Sequence, residues 1–154
     1  MSGLSKRRLG AWVRLLGVTR RSERSLREFL RVGHDTTLPR FDVMAALHRR
    51  PAGVTMSELS RMLLVSNGNA TAVVDRLERA GLARRAQSDA DRRAVVVTLT
   101  PEGLAAFERL AAEHEAEVDR LFAGLSEADL DALARILRRV GPRAADPQGS
   151  PSPS

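Results

Sequence analysis

Apolar residues recur at every third or fourth position over most of the chain, which is the spacing of one face of an α-helix. This pattern predicts a first helix over about residues 4–33, ended by Gly33. A second helix is predicted to begin near Pro39, whose fixed φ suits a first turn, and to stop before Pro51.

Two short capped helices are predicted to follow. Thr55 and Glu58 have the spacing of a capping box, and Ser66 is a second N-cap that opens a helix over about residues 67–80, closed by Gly81. Two short helices joined by a three-residue turn are typical of a helix-turn-helix. The first of them is expected to turn inward the apolar residues Leu59, Met62 and Leu63.

The period changes to that of β-strands after Gly81. Residues 82–86 and 94–99 are predicted as strands, and the polar residues 87–93 between them as a turn. A β-hairpin attached directly to a helix-turn-helix is a wing.

The helical period returns at Thr100, an N-cap followed by Pro101 at the first helical position. Ser126 and Asp129 predict the start of a last helix that reaches about Val140. The helix after Thr100 carries a heptad seam, which we expect to pack in a dimer interface. The seam consists of Leu104, Phe107, Ala111, His114, Val118, Leu121 and Leu125.

The predicted fold is mainly α, of the α+β class: a winged helix-turn-helix with N- and C-terminal dimerisation helices. It forms a single domain over residues 1–141, with the winged helix-turn-helix at about 38–100. The dimerisation helices cover about 4–33 and 101–141. Residues 142–154 are rich in Pro, Gly and Ser, and are predicted to be a disordered tail.

Composition and charge narrow the class of protein. The 154 residues include no cysteine, which excludes disulfides, thiolate metal sites and cysteine nucleophiles. The net charge is +6, and all basic residues but Lys6 are arginine. Residues 1–50 hold 12 basic and 4 acidic side chains, whereas residues 101–154 hold 6 and 10. A basic N-terminal third and an acidic C-terminal third indicate that one face binds a polyanion and another face makes a different contact.

The chain has no apolar run long enough to span a membrane and no secretory leader. We therefore expect a cytoplasmic protein.

The second helix of the helix-turn-helix divides into two faces at 100° per residue, with Ala70, Val73, Val74 and Leu77 expected to face the core. On the outward face, small residues allow close approach to base edges, and asparagine amides can pair with adenine. Arginines further along suit phosphates. The alternative is a core helix that the asparagines merely cap. The residues predicted to contact DNA here are Ser66, Asn67, Gly68, Asn69, Thr71, Ala72, Arg76 and Arg79.

The tip of the wing carries Asp91, Arg92 and Arg93. Arginines on a polar turn can enter a minor groove, where narrow A·T tracts concentrate negative potential. We expect Asp91 to hold an arginine guanidinium by a charge-assisted fork and so to preorganise it. Taken alone, such a turn is more often a solvated hairpin, and it gains its meaning from the helix-turn-helix before it.

From about Leu38 to Gly103 the chain resembles the MarR family of bacterial winged helix-turn-helix regulators. The matching segments are Met-Ser-Glu-Leu-Ser at 56–60, Val-Val-Asp-Arg-Leu-Glu-Arg-Ala-Gly-Leu at 73–82, Asp-Arg-Arg at 91–93 and Val-Thr-Leu-Thr-Pro-Glu-Gly at 97–103.

The resemblance implies a homodimer that binds double-stranded DNA at a pseudo-palindromic operator, with a recognition helix and a wing from each subunit. It assigns Arg93 to the minor groove, Asp91 as its buttress and Arg92 as an accessory contact. It also implies a regulator, expected to be a repressor relieved by a small anionic or aromatic ligand.

The resemblance also implies that the ligand lies in a crevice between the first two helices and the DNA-binding lobe. Four positions could line such a crevice: Arg20, Phe41, Met44 and His48. Phe41 and Met44 could equally be ordinary core residues. Residues 36–42 resemble family members that control aromatic-acid catabolism, some of which respond to acyl-CoA thioesters, so either class is a possible effector.

Other functions are less well supported by the sequence. A non-specific architectural DNA-binding protein without an effector is the main alternative. No catalytic set or phosphate-binding loop can be assembled from the chain, so we expect neither an enzyme nor a cofactor. We expect no metal site either, because His34, His48 and His114 are isolated from one another in the sequence. His114, within the heptad seam, is expected to be an interface histidine.

Overall fold

The computed structural model describes residues 2–140, which form six helices and one β-hairpin. The predicted disordered tail, residues 142–154, lies outside the described residues. The chain divides into two compact units, one through Val118 and one from Asp119 onward. In order, the elements are α1 (Gly3–His34), α2 (Leu38–Arg49), α3 (Met56–Leu63), α4 (Asn67–Arg79), β1 (Ala83–Gln87), β2 (Val95–Leu99), α5 (Pro101–Phe122) and α6 (Glu127–Leu137).

Local capping sets the helix starts, as the sequence predicts. Thr55 and Glu58 form a complete capping box, in which the Thr55 Oγ1 accepts from the Glu58 N–H at 3.2 Å and the Glu58 carboxylate accepts from the Thr55 N–H at 2.9 Å. Ser126 and Asp129 form a second box. Helix α1 ends later than predicted, because Asp35, with φ of 47°, takes the left-handed conformation expected of Gly33.

The core of the first unit lies among α1, α2, α3, α4, α5 and the hairpin. The strands β1 and β2 pair antiparallel, with Ala83 opposite Leu99 and Gln87 opposite Val95. Val54 forms a bridge to Val97, which brings the chain before α3 against the hairpin. Eight side chains of this core are almost fully buried: Leu30, Val43, Leu47, Val54, Leu59, Val74, Leu77 and Val97.

Two predicted faces are wrong in part. On α3, Leu59 is buried and Leu63 is half-buried, but Met62 is 40% exposed. Because α3 has only eight residues, it buries a narrow stripe that leaves Met62 outside. The heptad seam is not continuous either, since α5 ends at Phe122 and Leu125 lies beyond it.

The middle of that seam packs inside its own chain. The ring of Phe107 lies 5.6 Å from that of Phe41 on α2, and the ring of His114 stacks on Phe41 at 4.2 Å. His114 therefore contacts the core of its own chain, and burial lowers its pKa. The first residue of the seam, Leu104, remains 41% exposed.

Candidate nucleic-acid interface

The turn between α3 and α4 presents an exposed leucine. Leu64 has φ of 54°, in the left-handed region that non-glycine residues rarely adopt, and its residue surface is 92% exposed. The next helix begins at Ser66, whose Oγ accepts from the Asn69 N–H at 3.2 Å. It ends before Gly81, which has φ of 73°. The caps thus fix α4 as a separate element after the turn.

Helix α4 has one buried and one open face. Ala70, Val74 and Leu77 are at most 1% exposed, and Val73 is half-buried against the core. Thr71, among the residues predicted to contact DNA, is half-buried at the boundary between the faces. The facing predicted from the sequence is therefore confirmed. The other predicted contact residues of this segment are exposed: Ser66, Asn67, Gly68, Asn69, Ala72, Arg76 and Arg79.

The first turn of this open face has free space in front of its backbone. A Cβ atom built on Gly68 would meet no atom within 4 Å. With no side chain there, the helix backbone can approach a flat surface closely. The open face thus offers amides and a bare backbone at its start and two guanidinium groups at its end.

An arginine that the sequence pattern does not single out joins the wing to α4. Arg85 on β1 donates from Nη1 to Glu78 Oε1 at 2.5 Å and from Nη2 to Asp75 Oδ1 at 2.9 Å. Burial alone would lower the pKa of Arg85, but its hydrogen bonds to the two carboxylates outweigh burial and raise it. Asp75 of α4 is held by this contact.

The wing tip is organised differently from the prediction. Asp91, Arg92 and Arg93 are all exposed, as a DNA contact would require. However, Asp91 Oδ1 accepts from the backbone N–H of Arg93 at 3.0 Å, and no ion pair joins it to a guanidinium within residues 2–140. The expectation that Asp91 holds an arginine side chain is therefore wrong. Asp91 shapes the turn, because its own carbonyl also accepts from the Ala94 N–H at 3.0 Å.

The four predicted ligand residues do not line one crevice. Phe41 is buried under Phe107 and His114, and Arg20 is exposed on α1. His48 is also exposed, with its ring 4.8 Å from that of Phe107. Of the four, Met44 alone lines the cavity of about 340 Å³ that the structure contains beside α4 and α5. The helical period could not separate core positions from cavity positions, because both lie on the inward face.

The described residues contain neither a cluster of metal ligands nor a membrane-spanning helix. Within residues 2–140 no three side chains of His, Asp or Glu come together as a metal site. His34 instead pairs with Glu113, with Nε2 3.1 Å from Oε2. None of the helices in this part of the chain has the length and apolarity needed to cross a membrane.

Comparison with known proteins places this geometry in a family. Residues 34–94 match the model of the MarR family. The chain is 36% identical over 120 residues to YkoM of Bacillus subtilis, an uncharacterised HTH-type transcriptional regulator, and the match covers 78% of this chain and 76% of YkoM. It is also 36% identical over 102 residues to the HTH-type transcriptional regulator PecS of Dickeya dadantii, covering 65% of this chain but only 61% of PecS.

A solved structure with DNA has the same fold. A mutant MarR from E. coli, crystallised in complex with operator DNA, superposes with a TM-score of 0.76. The two sequences are 28% identical, and the superposition covers 92% of this chain and all of the other. The likeness therefore extends beyond the helix-turn-helix to the flanking helices.

Proposed function

The chain belongs to the MarR family, and from this membership we propose that it is a sequence-specific repressor that binds double-stranded DNA as a homodimer. Its relatives PecS and YkoM are transcriptional regulators, and the structurally similar MarR mutant was crystallised with operator DNA. The activity of the whole protein is proposed on this basis together with the geometry of its own surface.

The observation that carries the proposal is the division of α4 into two faces. Ala70, Val74 and Leu77 anchor the helix in the core, while the face around Gly68 is open and carries exposed amides. We assign this face to the major groove, where an asparagine can pair with both hydrogen-bonding groups of adenine. The arginines toward the end of the helix then lie where phosphates would be contacted.

The wing is assigned to the minor groove beside the same half-site. Arg92 and Arg93 are exposed at its tip, and the backbone turn that presents them is held by Asp91. Arg85 ties the wing to α4 through two carboxylates. The two DNA-contacting elements would therefore move together, which fixes the distance between the contacts in the two grooves.

A second copy of the chain is the proposed partner of the exposed apolar positions of α1 and α6. On α1, Trp12 is 56% exposed and Leu4 53%, and on α6, Ile136 is 51% and Leu130 44%. Large apolar side chains at this density on a helix mark a protein contact. A dimer with a two-fold axis places two recognition helices about one helical turn apart on DNA, which predicts a pseudo-palindromic operator.

Relief of repression by a small anionic or aromatic ligand completes the proposal. The family resemblance implies this class of effector, and the cavity of about 340 Å³ that Met44 lines supports the proposal. Aromatic acids and acyl-CoA thioesters remain the two classes to test.

Selection from a randomised duplex library tests the DNA-binding proposal and requires no operator sequence at the outset. We expect several rounds of selection by the full chain to enrich an inverted repeat with half-sites about one turn apart. Sedimentation of the bound complex should give two chains per duplex. Uniform binding without enrichment would overturn the proposal and favour an architectural DNA-binding protein.

A further inference from the structure

Leu64, in the turn between α3 and α4, is the most exposed of the large apolar side chains within residues 2–140. Its residue surface is 92% exposed, whereas that of Val32, the next in order, is 67% exposed. Its φ of 54° lies in the left-handed region, which glycine adopts freely and leucine does not. The turn therefore does not require this side chain, which makes almost no contact with its own chain and is free to contact a partner.

Hydrogen bonds hold the backbone on both sides of Leu64. Its own N–H donates to the Arg61 carbonyl at 3.3 Å, and the Val65 N–H donates to the Ser60 carbonyl at 3.1 Å. Two residues after Leu64, Ser66 caps α4. The fold therefore sets the direction in which the Leu64 side chain leaves the backbone, so a contact made by this side chain requires little further ordering of the turn.

Leu64 lines an open depression of about 510 Å³ that joins one side of α3 to the start of α4. Asn67, one of the amides on the open face of α4, lines the same depression, so Leu64 lies on the side that we assign to the major groove. The lining carries one positive charge, on Arg61, and no negative charge. Its apolar part is limited to Leu64 and Val65, which is too small for a protein partner, whose contact extends over several hundred Å². The full lining is Ser57, Ser60, Arg61, Leu64, Val65 and Asn67.

From these observations we propose that Leu64 is a specificity-determining residue, which packs against the methyl group of a thymine in the major groove. The proposal rests on the proposed DNA-binding function and adds to it a residue outside α4. Thymine differs from the other bases in the major groove by its C5-methyl group, which an apolar side chain can recognise. Because Leu64 precedes the first turn of α4, where base contacts concentrate, this thymine belongs to the part of the half-site that the start of α4 contacts.

Replacement of thymine by deoxyuridine in the selected duplex tests this contact, because deoxyuridine lacks only the C5-methyl group. Each thymine of one half-site is replaced in turn, and binding of the full chain is measured by anisotropy. We expect one thymine at which the wild-type chain loses affinity about threefold to fivefold, the loss expected for one buried methyl group. Leu64→Ala should bind the thymine and deoxyuridine duplexes alike at this position. Leu64→Met, which restores a long apolar side chain, should regain the preference for thymine.

Val32→Ala is the matched control, because it truncates another highly exposed apolar side chain on α1, outside the helix-turn-helix. This variant should keep the full preference for thymine. Leu64→Ala keeps a Cβ atom and loses only a side chain in contact with solvent, so its midpoint of urea unfolding should match that of the wild type. A lower midpoint would show that Leu64 packs on its own chain and would overturn the proposal.

The DNA titrations distinguish failure of this inference from failure of the proposed function. A preference for thymine that persists in Leu64→Ala, or a wild-type chain that is indifferent to every thymine methyl group, would overturn the role of Leu64 and leave the DNA-binding function standing. If the selection enriched no inverted repeat at all, the proposed function would fail, and the inference about Leu64 would fail with it.

Discussion

Replacement of Gly103 by alanine should destabilise the protein, although alanine is the better helix former. Gly103 is buried in the first turn of α5, against the backbone of Leu82. A Cβ atom added there would overlap the Leu82 carbonyl oxygen and lie 2.8 Å from the carbonyl carbon, inside the 3.0 Å limit of real contacts. The same oxygen accepts from the Thr100 N–H at 3.1 Å, so it cannot move away without loss of that bond.

The expected loss of stability in Gly103→Ala is the difference between two opposing contributions. Overpacking of a filled site costs about 1–3 kcal/mol, and an obstacle made of backbone favours the upper end of that range. Alanine stabilises the helix by up to about 1 kcal/mol relative to glycine, because its helix propensity is higher. We therefore expect Gly103→Ala to lower the free energy of unfolding by about 2 kcal/mol.

Gly68→Ala is the matched control, because it makes the same change in another helix. A Cβ on Gly68 meets no atom within 4 Å, so only helix propensity acts and the variant should gain about 0.5–1 kcal/mol. It should nevertheless bind the selected duplex more weakly, because the methyl group separates the backbone from the bases. Urea unfolding at one fixed protein concentration measures both variants. Equal stability of the two would refute the packing argument.

Three further predictions concern the turn, the link between wing and helix, and the wing tip. Leu64→Gly should raise the free energy of unfolding in urea by up to about 1 kcal/mol, because relief of the left-handed backbone strain exceeds the entropy cost of glycine. A loss of stability would instead show that the exposed Leu64 side chain makes a stabilising contact. Arg85→Met should lower the free energy of unfolding by about 1 kcal/mol, whereas Arg84→Met, on the opposite face of the same strand, should not. Equal losses of stability in the two variants would exclude a specific role for the two ion pairs of Arg85. Asp91→Ala should weaken binding to an A·T-flanked duplex about 2- to 10-fold in anisotropy titrations, because the acceptor for the Arg93 N–H is lost. Asp91→Asn keeps an acceptor and should bind at least as well as the wild type. Tighter binding by Asp91→Ala would refute the role of Asp91 in the turn.

The parts of the fold that depend on neighbouring residues were predictable from the sequence. The capping box of Thr55 and Glu58 and the N-cap at Ser66 involve residues three apart, so the sequence alone locates the helix starts. The two faces of α4 follow in the same way from the helical period. The predicted hairpin is likewise present. β1 is shifted by one residue from its predicted bounds, and β2 begins one residue later than predicted and ends at Leu99 as predicted.

The parts that depend on distant residues were not predictable. The heptad spacing of a helix is the same whether the helix packs on a second copy or on its own chain. Here Phe107 of α5 packs on Phe41 of the same chain. The contact of Arg85 with Asp75 and Glu78 requires the register of the hairpin and its approach to α4, neither of which one sequence displays. Cavities depend in the same way on how the helices meet.

We propose that one face of α4 reads base sequence at its start and contacts phosphates at its end. Anisotropy titrations of Asn69→Ala and Arg76→Ala against the selected duplex and a scrambled duplex, over a range of salt concentrations, test it directly. Asn69→Ala should lose about 1–3 kcal/mol on the selected duplex and little on the scrambled one. Arg76→Ala should weaken both alike and reduce the salt slope by about one. A loss of sequence preference in Arg76→Ala, with none in Asn69→Ala, would contradict the account.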